Sequence, residues 1–433
     1  MTPTVLSQEG YEAAVRRNQT WNFWVNLLDV TFYHLALSFI FGSTVLSLYA
    51  SHLTASAALI GLIPAIQNVG YFLPQLLVAH RSEQLVRQKP LILRISVMER
   101  FPYLFIALNC LLWPTAPAGV SFAILAVGLG IATLSGGLAG PAWNQMLAKV
   151  IRVERRGLFF GLSSAAGGML GVAGAAVSRH VLGAYAFPTS FGICFLLCFV
   201  SQVLSWTALS LNREPPRRPK TEAPSVREYW RRLPGVLRSD PNFCRYLVAR
   251  ALIVLGTMGT ALYIVYGKRT LAVTDVFGAD LTMAALITQT AATPLLGMLA
   301  DRRGNKLLIQ ISALLGGGAL VLMLLASDSL WLYPAFMLAN GALASMFVGS
   351  QAINMEFGGE ANLPTYVALA NTLLALPILV APILGGWLAD TVGFQTLFVA
   401  ALVFSPAGWA AMCFGVRDPR HLAREVEPAP AMS

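Results

Sequence analysis

Three ionisable residues stand where ionisable residues are costly. Asp29, Glu99 and Arg100 each fall inside a long apolar run of a 433-residue chain that is 56% hydrophobic and only 12% charged. A charge near the centre of a bilayer is expensive, so such groups normally face a protein partner or carry protons. Glu99 and Arg100 lie about 12 Å along a helix from Leu91 at 1.5 Å per residue. That depth is near the middle of a hydrocarbon core roughly 30 Å thick. Adjacent helical positions point about 100° apart, so the two do not simply neutralise each other. Asp29, early in the first apolar run, is a partner for Arg100. Glu99 is then left to bind and release a proton. A structural ion pair between helices is the other reading open to these three residues.

The elements that must hold them follow from composition. Soluble domains carry roughly 25% charged residues, so lipid must cover this chain. A spanning helix needs about 20 predominantly apolar residues, and twelve such runs fit the sequence. They divide into a polar lead over 1–24, six spans within 25–211, a proline- and arginine-rich linker over 212–245, six spans within 246–416 and a tail over 417–433. The linker stretch Tyr229–Arg238 suits a surface helix at the membrane interface. With both termini in the cytoplasm, cytoplasmic segments hold about 24 of the 30 basic residues, the bias of positive-inside topology. Arg179, Lys268 and Arg269 are the exceptions outside the spans. Trp21, Phe23 and Trp24 read as an interfacial anchor. The net charge of +10 is therefore a topology signal and implies no nucleic-acid partner. The five cysteines show no C-x-x-C or metal-ligand spacing and read as small core residues. There is no G-x-x-x-x-G-K-[ST] loop and no H-E-x-x-H, so neither a nucleotide-driven pump nor an enzyme is indicated, and no cofactor is implied.

Between two spans lies GMLADRRGNK, Gly297 to Lys306. It resembles G-x-L-A-D-R-x-G-R-K, the loop signature of the major facilitator superfamily of transporters. Gly297, Leu299, Ala300, Asp301, Arg302, Gly304 and Lys306 match, seven of eight specified positions. The resemblance covers nearly the whole chain. It implies an all-α membrane protein, with twelve transmembrane helices arranged as two pseudo-symmetric six-helix bundles. It also implies that the Asp301 turn latches onto the cytoplasmic start of the fifth span, near Gly157. A helix N-terminus attracts an acid, and Arg155 and Arg156 add to the attraction. The first-half copy departs from the signature: Leu76 and His80 stand where Gly297 and Asp301 do. Its expected partner, the start of the eleventh span, follows Glu356 and Glu360. A sign-reversed latch results, with His80, Arg81 and Arg87 facing those two acids.

The resemblance further places spans one, four, seven and ten around a central cavity. The candidates to touch a solute are His34, Gln67, Asn68, Asn144, Gln145, Arg250, Tyr263, Gln289, Asn340 and Gln351, with Tyr33, Trp143, Thr257, Thr260, Ser345 and Asn354 beside them. Each has an alternative role as an interhelical tie; Arg250, near the cytoplasmic end of its span, either snorkels to the interface or binds an anion. The fifth span carries Gly157, Gly161, Gly167, Gly168, Gly171 and Gly174, which suits close helix packing or a rocking contact. It lacks the proline of the Gly-Pro-x-x-Gly-Gly run often seen there in antiporters. The expectation is a multi-pass, monomeric transporter of the plasma (inner) membrane. Its partners are the lipid bilayer, a small-molecule substrate and protons. Proton-coupled export of amphipathic compounds, movement of a polar metabolite, and a non-transporting scaffold on the same fold are the competing functions.

Overall fold

A bilayer offers backbone N–H and C=O groups no water, so a chain this apolar satisfies them within helices. The computed structural model describes residues 7–217, 235 and 237–420, and all regular structure among them is helical. In chain order the helices are α1 (Gln8–Phe39), α2 (Ser47–Leu53), α3 (Ala57–Glu83), α4 (Lys89–Leu112), α5 (Ala118–Val150), α6 (Val153–Ala184) and α7 (Thr189–Ser210). The second half has α8 (Pro241–Gly256), α9 (Tyr263–Thr270), α10 (Asp275–Arg303), α11 (Asn305–Leu325), α12 (Leu332–Thr391) and α13 (Phe394–Ala410). Eleven segments are long and apolar enough to cross a membrane. The 24-residue α4, which holds Glu99 and Arg100, is not among them.

The 60 residues of α12 supply two of the eleven. The chain doubles back within it. Leu332 abuts Gly267 and Gly385 abuts Met258, both toward the end of the molecule away from Asp240. Between them, Tyr246 Oη donates to Asn354 at 2.9 Å and Tyr366 Oη donates to Asp240 at 3.1 Å, at the other end. That second end also carries Arg152, Arg155, Arg156 and the Arg302–Lys306 turn and is called the basic face below. The opposite end is the far face.

The first helix of each half is broken toward the far face. α1 gives way to a π-helical turn, Gly42–Leu46, before α2. α8 gives way to a 3₁₀ turn, Thr260–Leu262, before α9. The two turns pack against each other across the halves. Discontinuous helices near a repeat interface are a recurrent feature of transporter folds.

Two expected boundaries move. α1 begins at Gln8, well inside the expected polar lead, because its polar residues find partners. Ser7 Oγ caps it at Gly10 N, Tyr11 Oη donates to the Lys149 carbonyl, and Trp21 Nε1 donates to the Leu211 carbonyl. Phe23, read as an interfacial anchor, is instead buried against Phe159, while Trp24 stays exposed. The start of the expected linker is also fixed. Asn212 donates to Asn26 at 2.8 Å, and Glu214 caps α4 through the Gln88 and Lys89 N–H groups at 2.9 and 2.8 Å. Most of the expected surface helix Tyr229–Arg238 lies outside the described residues.

Candidate functional site

The close cross-half contacts run from the far face to mid-membrane. A Cβ on Gly61 would strike the Pro382 carbonyl, and one on Gly386 would strike the Ala57 carbonyl, so α3 and α12 meet backbone to backbone. Small residues permit that approach. On the other side of the molecule, Gly168 meets Thr290 and Gly171 meets Leu286, joining α6 to α10. Nearer the basic face the same helices part. Gly157 and Gly161 on α6, and Gly297 on α10, have open space where a Cβ would point. The cleft between the halves therefore opens at the basic face.

Polar contacts seal the closed end. Asp390, at the end of α12, accepts from Ala57 N at 2.7 Å, Ala58 N at 2.9 Å and Ser56 Oγ at 2.7 Å. It caps the N-terminus of α3 across the halves, where free N–H groups favour an anion. His52 Nε2 lies 2.7 Å from Asp275 Oδ2 and 2.6 Å from Lys268 Nζ. Arg179 Nε donates to Asp280 at 2.6 Å, and Arg269 Nη2 donates to the Ala55 carbonyl at 2.7 Å. The three basic residues that escaped the positive-inside pattern are thus cross-half ties. Sequence reading missed Asp390, although its signal was present. Gly386, Leu388, Ala389, Asp390 and Gly393 repeat the spacing of Gly297, Leu299, Ala300, Asp301 and Gly304. Both closing glycines adopt the same positive-φ backbone, 94° at Gly304 and 99° at Gly393, which favours glycine.

The Asp301 latch is not made among the described residues in this open arrangement. Asp301 and Arg302 are exposed, and Asp301 pairs with no described residue. Arg156 turns back to the Ile151 and Ala148 carbonyls and so caps the preceding helix. Glu356 here binds Asn305 at 2.6 Å and the Arg420 guanidinium, both in its own half. Arg420 also donates to the Ala300 carbonyl, and Lys306 donates to the Cys413 carbonyl, so the tail folds under the Asp301 turn. Both bonds to Glu356 fall on its Oε1, and its buried Oε2 accepts none from the described residues. The side chains of His80, Arg81, Gln351 and Glu360 lie outside those described.

The buried charges form one network. Arg100 donates to the Gln202 carbonyl at 2.8 Å, the Ser96 carbonyl at 2.6 Å and Glu99 Oε2 at 3.4 Å. The contact with Glu99 corrects the expectation that the neighbours stand apart: a long guanidinium folds back over the helix surface. Asp29 is reached through a hydroxyl. Arg100 Nη2 donates to Ser205 Oγ at 3.4 Å, and Ser205 donates to Asp29 Oδ1 at 2.6 Å. Trp143 Nε1 donates to Asp29 Oδ2 at 3.2 Å, and Tyr33 Oη donates to Glu99 Oε1 at 3.0 Å. α1, α4, α5 and α7 thus hold two carboxylates and one guanidinium.

The cavity candidates divide. His34, Asn144 and Thr257 are exposed, and Gln67, Asn68 and Arg250 are half-buried. Gln289 donates to Asn340 at 2.8 Å, and Gln145 accepts from Gln88 at 3.2 Å. Tyr263 is corrected from cavity to core: it is buried against Phe336 and Phe398.

The Major Facilitator Superfamily sequence model matches residues 30–287 and 268–431. The chain belongs to the major facilitator superfamily. This facilitator is a multi-pass integral membrane transporter, not an enzyme. It is similar to the solved nucleoside transporter NupG, with 10% identity, a TM-score of 0.68, and coverage of 90% of this chain and 99% of that one. A D-xylose–proton symporter shares 14% identity at a TM-score of 0.69, covering 93% and 99%. A bacterial homologue of the human lysosomal transporter Spinster, solved inward-facing and unoccupied, shares 15% identity at a TM-score of 0.59, covering 98% and 100%. At these identities the likeness carries the fold alone. No curated protein matches the sequence.

Proposed function

We propose that this facilitator moves a small solute by alternating access, with twelve spans, both termini in the cytoplasm and the cleft open to the cytoplasm in this structure. α4 is the twelfth span. The reading rests chiefly on one observation: α6 and α10 meet from the far face to mid-membrane, while Gly157, Gly161 and Gly297, nearer the basic face, look onto open space. The concentration of arginine and lysine on the open face supports a cytoplasmic assignment. The buried network supports proton coupling, because it contains one more acid than base. A single unbalanced carboxylate in a low-dielectric site favours uptake of a proton. Neutral and aromatic groups around the cleft suit export of an amphipathic compound. A polar metabolite is the second reading, favoured by solved relatives named for nucleosides and D-xylose.

Flux of a compound panel into proteoliposomes, with and without a pH gradient, tests the proposal. Gradient-driven flux that Glu99→Gln or Asp29→Asn uncouples is the expected result. Flux indifferent to the gradient and to both substitutions would remove proton coupling. Absence of flux for every compound would favour a scaffold.

A further inference from the structure

Arg250 stands apart from every other ionisable group buried in the spans. Asp29, Glu99 and Arg100 answer one another, whereas no carboxylate among the described residues pairs with Arg250. Its one hydrogen bond runs from Nη1 to Tyr246 Oη at 3.1 Å. Tyr246 donates its own proton to Asn354, so it offers the arginine only a lone pair. Arg250 Nε is buried with no acceptor at all. A half-buried cation whose Nε has no acceptor is costly unless something else supplies the negative charge.

The burial pattern of α8 shows which way this cation faces. Val248 and Arg245 are exposed and lie about 160° and 140° around the helix from Arg250, at 100° per residue. That is the lipid side. Thr257 is also exposed yet lies only about 20° from Arg250. Ala249 and Ile253 are buried against Gly408 on α13, so the flank between is sealed. α8 therefore has two separate open faces, and Arg250 shares the inner one with Thr257.

We propose that Arg250 anchors an oxyanion of the transported solute, a carboxylate or a phosphate held in the cleft beside Thr257. A planar guanidinium with free N–H groups suits two-point binding of such a group. The inference deepens the transporter reading and rests on it, since it names the chemical class of the cargo.

The test reads charge rather than flux. Thr257→Cys in the full chain is labelled with two methanethiosulfonates, one bearing a sulfonate and one a trimethylammonium, and the unsubstituted protein gives the background from the native cysteines. The sulfonate-to-ammonium rate ratio is normalised to free cysteine in solution. One unit charge about 10 Å away changes that ratio about four-fold even at the dielectric of water. The ratio at the introduced thiol is expected to exceed that of free cysteine by about this factor, to fall to it on Arg250→Gln, and to be kept by Arg250→Lys. A ratio equal to that of free cysteine with Arg250 present overturns the proposal, and needs no variant of Arg250 to fold. So does a ratio indifferent to Arg250→Gln. Failure of either reagent to react overturns it too, because the face would then be dry. None of these results touches alternating access, which stands or falls on proteoliposome flux.

Discussion

Asp390 Oδ1 accepts the backbone N–H of Ala57 at 2.7 Å, an end-on cap placed by one half of the molecule on a helix of the other. Its partners are a helix N-terminus and a serine hydroxyl, not a base. The cap therefore depends on helix position rather than on a flexible cation.

Asp390→Ala should loosen the far face. Losing an N-cap acceptor costs about 1 kcal/mol, or roughly a five-fold shift in a two-state ratio. Spin labels at Tyr185 and Leu330, both exposed at the far face in different halves, would report it. The longer-distance population should grow by that factor. An unchanged distribution would show that the cap does not hold this end shut.

Asp301→Asn should behave differently, because Asp301 is exposed and makes no hydrogen bond or ion pair with a described residue in the open arrangement. Thermal stability of this state should stay the same. Flux should fall about two- to five-fold, the effect of roughly 0.3–1 kcal/mol lost when the acid meets the α6 N-terminus in the closed state. Equal loss of stability and flux would place its role in folding.

Within the buried network, Arg100→Met should be worse than Glu99→Gln. Removing the guanidinium leaves Asp29 and Glu99 unbalanced, and breaking a buried pair from one side costs about 3–5 kcal/mol. Removing the Glu99 charge leaves Arg100 its bonds to Gln202, Ser96 and Ser205. Melting temperatures in detergent should rank Glu99→Gln above Arg100→Met, and the reverse order would contradict the network as drawn.

Glu214→Ala should destabilise without altering coupling. The side chain is 1% exposed, and its carboxylate caps α4 twice and sits 3.3 Å from Lys149 Nζ. Its loss should cost about 3 kcal/mol. A lowered melting temperature with pH-gradient dependence intact is the expected result.

The helical class and the Gly297–Lys306 turn were legible because hydropathy and glycine spacing are local properties. The charges at Asp29, Glu99 and Arg100 were legible as a set for the same reason. Their wiring was not: Ser205 and Tyr33 enter only once four helices meet. Asp390 went unread as a latch because Thr391 and Val392 replace the arginines that mark the Asp301 turn, so the repeat lacks its charge signal. Arg179, Lys268 and Arg269 were noticed only as exceptions to a charge rule. Their acceptors lie on helices remote in sequence, which no local pattern reveals.

Under the alternating access proposed above, the contact of Gly61 with the Pro382 backbone would serve as a fulcrum. With no side chain between them, the two helices can turn there without rotamers being reset. From Gly61 to Glu83 the arm of α3 is about 33 Å at 1.5 Å per residue, so each degree of tilt moves its free end roughly 0.6 Å. About ten degrees then opens about 6 Å, a sugar-sized aperture, while the pivot barely shifts. A Cβ added at Gly61 would strike the Pro382 carbonyl oxygen and wedge the two helices apart at the pivot itself.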